Sequence, residues 1–203
     1  MLIDAARSQL LVVDMQEKLL PAIHDRDSVI ANAGWLIRVA IRLGVPVGAL
    51  EQYPKGLGRT NAALRALVPA QAVASKVHFS GVAAGCLPDL PGADRPQVVI
   101  AGVEAHVCVL QTALDLAAAG KSVFVVADCV GSRRAIDRDL ALARMRDEGV
   151  RIVSREMAAF EWLREAATPL FREVCREFLR QGARARDQAP AMCRDGMPED
   201  TIR

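Results

Sequence analysis

Residues 98–110 read Val98-Val-Ile-Ala-Gly-Val-Glu-Ala-His-Val-Cys-Val-Leu110, which is a short apolar run, a glycine turn and the start of a helical pattern. A continuously apolar run of this length is typical of a strand buried on both faces of a parallel sheet. The helical pattern continues to Ala119 and ends at Gly120, a residue that commonly terminates helices. This strand, turn and helix together predict one unit of an α/β fold.

The same alternation of strand and helix continues on both sides of this unit. Parallel strands need crossover connections, and these crossovers are right-handed. The sequence therefore predicts an α/β fold, a Rossmann-like three-layer α-β-α sandwich with a mostly parallel sheet of about six strands. The predicted strands are residues 10–14, 45–50, 71–75, 97–101, 122–127 and 151–153, and the predicted helices are residues 28–43, 107–119, 135–148, 154–163 and 168–179.

The length of 203 residues suits one α/β domain. We expect that domain to occupy residues 1–181, because the helical periodicity lapses after Gln181. Residues 182–203 are rich in Ala, Arg, Asp, Gly and Pro, and they predict a flexible tail or a partner-contacting arm. Aromatic residues make up only 4% of the chain against 52% hydrophobic residues, so the core must consist of Ala, Val, Leu and Ile.

Charge and cysteine content predict where the protein acts. The 26 basic and 24 acidic residues are interspersed and give a net charge of +2, so we expect no nucleic acid partner. No apolar run reaches membrane-spanning length, and no membrane partner is expected. The five cysteines are odd in number and lack CxxC spacing, which argues against disulfides and structural zinc. A cytoplasmic location follows.

Cys108 is a candidate nucleophile because it lies in the first turn of a helix that follows a buried strand. Free N–H groups and the positive end of the helix dipole at such a place favour the thiolate. The same N–H groups can bind an oxyanion. The alternative is that Cys108 is a small core residue, which is the usual role of a cysteine in an Ala-rich helix.

Asp14 and Lys76 each follow a short apolar run, so both should lie at the carboxyl edge of the sheet, where such folds bind ligands. Alone, Asp14 could cap the next turn, and Lys76 could be a solvated surface residue. Phosphotransferases also place an acid there, but Asp14-Met-Gln lacks their second acid. An acid, a cation and a thiol at three strand ends are what a cysteine hydrolase needs.

A second group of polar and aromatic residues could contact a substrate. His106 lies two residues before Cys108, although it could equally pack the turn. Arg59 and Gln52 lie in or beside the Gly- and Pro-rich loop after the second strand and could recognise substrate polarity. Tyr53 could line an apolar pocket, although a single aromatic residue is usually core. The remaining candidates with weaker claims are Trp35, His24 and His78.

Three motifs resemble the isochorismatase-like cysteine hydrolases, in that family's order. They are Leu-Val-Val-Asp14-Met-Gln, Lys76-Val-His-Phe-Ser, and Ala-Gly-Val-Glu-Ala-His-Val-Cys108-Val. The resemblance spans roughly residues 10–163. The stretches at residues 51–58 and 154–163 look more like the uncharacterised isochorismatase-domain branch than like well-defined amidases.

This resemblance implies a catalytic triad of Asp14, Lys76 and Cys108. It also implies a cis peptide between Val103 and Glu104, with the N–H groups of Glu104 and Cys108 forming the oxyanion hole. A homo-oligomer, a dimer or larger, is implied as well. No cofactor is required by such a mechanism.

Two departures from the family narrow the expected activity. Metal-dependent nicotinamidases carry an Asp-x-His-type ligand set after the second strand, where this chain has Glu51-Gln52-Tyr53, so no metal is expected. True isochorismate hydrolases lack the nucleophilic cysteine, which this chain has. The sequence therefore predicts hydrolysis of a small amide-type C–N bond through a thioester intermediate. The alternative is a redox-sensing thiol protein or a catalytically silent interaction module on the same fold.

Overall fold

A computed structural model describes residues 1–179. Its centre is a six-stranded sheet in the order β3-β2-β1-β4-β5-β6, in which every neighbouring pair is parallel. The predicted α/β class and the parallel sheet of about six strands are thus confirmed. The strands are β1 (Ser8–Val13), β2 (Val47–Gln52), β3 (Val73–Lys76), β4 (Gln97–Val103), β5 (Ser122–Gly131) and β6 (Arg151–Val153).

Helices cover both faces of this sheet. Helix α1 packs on β1, β2, β4 and β5, and α4 and α5 pack on β5 and on each other. The predicted three-layer arrangement follows from these contacts. The helices are α1 (Arg26–Arg42), α2 (Pro54–Leu57), α3 (Ala62–Arg65), α4 (Leu110–Ala118), α5 (Ala135–Asp147), α6 (Arg155–Leu163) and α7 (Pro169–Val174).

Strand alternation divides the polar strand ends between the two faces of the sheet. Leu50 and Val13 belong to the apolar cluster on the α4 and α5 side, and that cluster includes Cys108. Successive side chains of a strand point to opposite faces. Gln52 therefore shares this face with Leu50, whereas Glu51 lies on the α1 side. The α4 and α5 side is the front face of the sheet, and the α1 side is its back face.

Gly102 permits the close approach of the two central strands. It has φ +131° and pairs with Val13 in the register of β1 and β4. A Cβ at this position would lie 2.0 Å from the carbonyl oxygen of Val13, so only glycine fits. A register shift in the pairing of β4 with β5 falls at the same place, between Ile100 and Gly102. Glycine here therefore sets the spacing of the strand ends that carry Asp14 and Cys108.

The described part of the chain divides into two compact units, Met1–Trp162 and a second unit that begins at Leu163. The first contains the whole sheet. In the second, Thr168 caps α7 by accepting a hydrogen bond from the Phe171 N–H at 3.0 Å, and a π-helical turn, Cys175–Leu179, follows. The expected domain end near residue 181 and the expected tail at 182–203 lie outside the described residues.

Helix boundaries deviate from the sequence expectation mainly next to Cys108. The helix predicted from Val107 is a π-helical turn, Ala105–Val109, followed by α4. Ser154 caps α6, since its Oγ accepts a hydrogen bond from the Met157 N–H at 3.1 Å. Within the described residues, none of the helices is long and apolar enough to cross a membrane.

Candidate active site

Three side chains from separate parts of the sheet meet at the front face of its carboxyl edge. Asp14 follows β1, Lys76 ends β3, and Cys108 lies in the π-helical turn behind β4. Lys76 Nζ donates to Asp14 Oδ2 at 2.7 Å, and both side chains are inaccessible to solvent. The Cys108 thiol interacts with Asp14 and with Lys76, since each affects its pKa. The structure therefore brings the three predicted residues together.

The two oxygens of the Asp14 carboxylate differ in their hydrogen bonding. Its Oδ2 accepts from Lys76, but its Oδ1 is the only fully buried side-chain oxygen or nitrogen in the described residues without a hydrogen-bond partner of good geometry. Burial raises the pKa of Asp14, and the Lys76 charge together with hydrogen bonding from Cys108 and Lys76 partly offsets that rise. An unsatisfied buried acceptor is costly. Oδ1 is therefore available to take a proton.

The surroundings of Cys108 favour its neutral thiol over the thiolate. Burial, followed by the negative charge of Asp14, raises its pKa to about 12, although Lys76 acts in the opposite direction. The helix start is expected from the sequence to favour the thiolate, whereas burial and the adjacent carboxylate favour the neutral thiol. A base must remove the proton during any reaction of this sulfur, and Asp14 is the carboxylate beside it.

Gln52 and Gln16 fix the lysine and the strand end. Gln52 Oε1 accepts a second hydrogen bond from Lys76 Nζ at 2.6 Å, and Gln52 Nε2 donates to the Val77 carbonyl at 2.7 Å. Gln16 pairs with the Gln52 backbone through Oε1 at 2.7 Å and Nε2 at 2.9 Å. Gln52, which is expected from the sequence to contact substrate, thus accepts a hydrogen bond from Lys76 instead. Sequence reasoning missed Gln16, although its place two residues after Asp14 was a signal.

The peptide bond between Val103 and Glu104 is cis. The Glu104 side chain is buried, and its Oε2 accepts hydrogen bonds from Arg133 N at 3.1 Å and Arg133 Nε at 3.0 Å. This carboxylate therefore has its own partner in the segment after β5. The backbone of Glu104 is anchored as well, since its carbonyl accepts from the N–H groups of Val107 and Val109.

The remaining candidates occupy different places. His106 is half-buried, and its Nδ1 lies 3.0 Å from Ser132 Oγ. Tyr53 is 54% exposed, and its backbone N–H donates to the Lys76 carbonyl at 2.8 Å. Arg59 lines a cleft whose lining does not include the triad. Trp35 packs against the Arg155 guanidinium, whose carbon lies 5.0 Å from the ring centroid, and His24 and His78 are exposed.

A loop between β3 and β4 packs against α4 and against the apolar cluster that contains Cys108. Ser80 Oγ donates to Asp115 of α4 at 2.5 Å, and the Gly81 N–H donates to Thr112 Oγ1 at 3.1 Å. Cys86, further along this loop, packs against the apolar cluster that contains Cys108. Asp14, Lys76 and Cys108 are each no more than 5% exposed. Water is therefore largely excluded from the three reactive groups, which strengthens the electrostatic interactions among them.

The residues at the end of β2 do not suit a metal ion. Gln52 is engaged by Lys76 and Tyr53 points largely to solvent. Among residues 1–179 there is no group of three or more His, Cys, Asp or Glu side chains that could hold a metal. We therefore derive no chemical step through a metal ion.

Comparison with known proteins identifies the family. Residues 8–157 match the isochorismatase domain, and the chain belongs to this family of hydrolase-like α/β proteins. Isochorismatase domain-containing protein 1 of Salmo salar is 42% identical over 164 residues, which are 79% of this chain and 57% of the salmon protein. The chain thus spans little more than half the length of that relative.

Solved structures share the fold. The MAR1 ribonuclease of Caenorhabditis elegans is 33% identical with a TM-score of 0.78, and the alignment covers 87% of this chain and 91% of that one. An octameric hydrolase of unknown specificity from Escherichia coli, the YcaC gene product, is 25% identical with a TM-score of 0.76 over 81% of this chain and 83% of its own.

Proposed function

We propose that this protein is a cysteine-dependent hydrolase that cleaves a small amide-type C–N bond through a thioester intermediate. The observation that carries the proposal is the pairing of a neutral buried thiol, Cys108, with an adjacent carboxylate, Asp14, whose Oδ1 has no hydrogen-bond partner of good geometry. The Cys108 thiol must lose its proton to react, and Asp14 Oδ1 can accept that proton. Lys76 supplies the positive charge that must accompany proton transfer.

In the first half of the reaction, Asp14 takes the Sγ–H proton as the sulfur attacks the carbonyl carbon. The negative charge on the substrate oxygen is stabilised by the N–H groups of Glu104 and Cys108. The C–N bond then breaks, Asp14 returns its proton to the leaving nitrogen, and an acyl thioester remains on Cys108. Lys76 keeps the carboxylate in place by donating to Oδ2. Oδ1 accepts the proton and later donates it.

In the second half, Asp14 removes a proton from water, and the resulting hydroxide attacks the thioester. The C–S bond breaks, the acid is released, and the sulfur regains a proton. One amide and one water thus give one acid and one amine. The buried triad suits a small substrate, since large groups would have to displace the loop held by Ser80 and Gly81.

The geometry supports redox sensing less well than hydrolysis. Sensor cysteines have low pKa values and are accessible to solvent. Cys108 is 5% exposed, and its pKa is raised to about 12. The adjacent carboxylate further disfavours the thiolate that peroxide would oxidise.

The test is turnover of a panel of small amides, with the release of amine as the readout. We expect the wild-type protein to hydrolyse at least one member, and Cys108→Ala and Cys108→Ser to hydrolyse none. Cys129→Ala is the matched control, because Cys129 is buried in β5 away from the triad. Full turnover by Cys108→Ala would overturn the mechanism. Cleavage of RNA without cleavage of any amide would overturn the substrate class and would align the protein with its MAR1 relative.

We also propose that the protein forms a closed homo-oligomer. The support is the octameric state of the related Escherichia coli hydrolase and the general preference of soluble oligomers for closed symmetry. Size-exclusion chromatography with light scattering, at micromolar concentration, should show a single species larger than the 21.9 kDa chain. A monomer at micromolar concentration would overturn this proposal.

A further inference from the structure

A cleft of about 550 Å³ opens on the back face of the sheet, behind the ends of β2 and β3. Ligand pockets are typically about 300 to 1,000 Å³. Its polar lining comes from Glu51, Lys55, Arg59, Arg65 and Ser75, and its apolar lining includes Val68 and Val73. Asp14, Lys76 and Cys108 are absent from this lining.

Strand geometry separates this cleft from the proposed active site. Glu51 pairs with Ser75 in the register of β2 and β3, and Gln52 pairs with Lys76 one residue later. Because side chains alternate along a strand, the first pair points to the back face and the second to the front. The cleft and the triad therefore use neighbouring residues of the same two strands on opposite sides of the sheet.

Positive charge dominates the cleft, with three cationic side chains facing one carboxylate. The side chains of Lys55 and Arg59 have no hydrogen-bond or ion-pair partner in the described part of the chain. Arg65 lies 3.8 Å from Glu17, an exposed pairing that solvent weakens. Its Nη1 also donates to the Thr60 carbonyl at 3.4 Å. A concave surface with two unpaired cations favours an anionic ligand.

Glu51 adds a second requirement. It is only 7% exposed, and its Oε1 accepts from Thr60 N at 2.7 Å and from Thr60 Oγ1 at 2.8 Å. The other oxygen, Oε2, has no hydrogen-bond partner among the described residues, yet it is not fully buried. It is therefore accessible from the cleft that Glu51 lines and can accept a hydrogen bond from a ligand. Thr60 links this acid to Arg65, so acid and cation are held in one frame.

We propose that this back-face cleft is a binding site for a small organic anion that also carries a hydroxyl or amino group. The carboxylate or phosphate of the ligand would lie against Lys55, Arg59 and Arg65. Its hydroxyl or amino hydrogen would be donated to Glu51 Oε2. The apolar surface of Val68 and Val73 would contact the carbon skeleton. This site is independent of the reaction assigned to Cys108.

The test is calorimetric titration of the full-length protein with two pairs of probes. L-malate and glycerol 3-phosphate carry both an anionic group and a hydroxyl, and succinate and propyl phosphate are their counterparts without it. We expect saturable binding of at least one hydroxyl-bearing probe, at least about tenfold tighter than its counterpart, since one good hydrogen bond to a charged group contributes about 1.5 kcal/mol. Which pair binds distinguishes a carboxylate from a phosphate ligand.

Two variants locate the binding. Arg59→Gln combined with Arg65→Gln should weaken binding at least about tenfold. Glu51→Gln keeps an acceptor for Thr60 but replaces the free oxygen with an N–H donor, so it should abolish the preference for the hydroxyl probe. Arg146→Gln, on the exposed side of α5, is the matched control. The absence of saturable binding by both hydroxyl-bearing probes, or binding unchanged in the double arginine variant, would overturn the proposal, whatever the outcome for amide hydrolysis.

Discussion

Near the carboxyl edge of the sheet, acidic and basic side chains lie on both faces, but they differ in their exposure to solvent. On the front face, Lys76 and Asp14 form an ion pair in which neither side chain is exposed. On the back face, Glu51 lies beside the exposed cations Lys55 and Arg59 around an open cleft. Acidic and basic side chains are present on both faces, but those of the front face are buried and directly paired, whereas the cations of the back face are exposed.

This difference in burial determines the chemistry available on each face. Desolvation raises the pKa of Asp14 and that of Cys108, which is what a proton-transfer pair requires. Exposed cations keep their charge and their hydration, which suits reversible binding of an anion rather than catalysis. Under the two proposals, the reaction takes place on the front face and the anion binds on the back face.

The largest expected effect is on the rate of amide hydrolysis, when the buried Asp14 is compared with an exposed aspartate. Asp14→Asn keeps the size of the side chain but cannot accept the thiol proton, so we expect the rate of amide hydrolysis to fall by about 10³-fold. Asp147→Asn, at the exposed end of α5, should leave the rate unchanged. Initial rates on the same amide decide the matter, and a loss below about tenfold would refute the general-base role.

The next effect concerns stability. Lys76→Met leaves the Asp14 carboxylate buried without a partner, and we expect the free energy of unfolding to fall by about 3 kcal/mol or more. Combining it with Asp14→Asn should recover most of that loss, because the uncompensated charge is gone. Urea unfolding measures both. Lys18→Met, whose side chain is exposed, is the control, and a Lys76→Met protein as stable as that control would contradict a desolvated ion pair.

The pH dependence of hydrolysis gives a smaller and more specific effect. Asp14 must be deprotonated to act as a base, so activity rises with pH as this group ionises. Since burial raises the pKa of Asp14, the acid limb of kcat/KM should lie above the ordinary value of 3.8. The limb should be absent from any residual activity of Asp14→Asn. An acid limb at or below 3.8 would show that the carboxylate is not desolvated as described.

The smallest expected signal is the thiolate itself. With a pKa of about 12, less than about 1% of Cys108 should be ionised at about pH 9. Thiolate absorbance near 240 nm, taken as the difference between wild type and Cys108→Ala, should therefore stay flat from about pH 6 to about pH 9. A rise within this range would indicate a preformed thiolate and would revive the redox-sensing alternative.

The fold could be predicted because its signals are local. Buried parallel strands appear as continuous apolar runs, and Gly44, Gly120 and Gly149 each lie two residues after the last residue of a helix. Ser154 and Thr168 cap helices as their side chains suggest. The candidate triad was also accessible from the sequence, because strand ends of a parallel sheet share one edge.

The environment of the site could not be predicted in the same way. The pKa of Cys108 depends on its burial and on the nearby Asp14 carboxylate, and both are set by tertiary packing. The π-helical turn before α4 has the same apolar pattern as an ordinary helix start. Arg59 and Gln52 were treated alike in the sequence, whereas the structure places Gln52 on the front face and Arg59 in the back-face cleft.

The most direct test of the central claim is to trap the acyl intermediate on Cys108. A hydrolysed amide should be mixed with the protein, quenched in acid within the first turnover, and the intact mass measured. We expect a mass increase equal to the acyl group, located on Cys108 after digestion, removed by hydroxylamine, and absent from Cys108→Ala. An adduct on another residue would contradict the account. So would turnover without any covalent species on Cys108, if Cys108→Ala turned over the same amide equally fast.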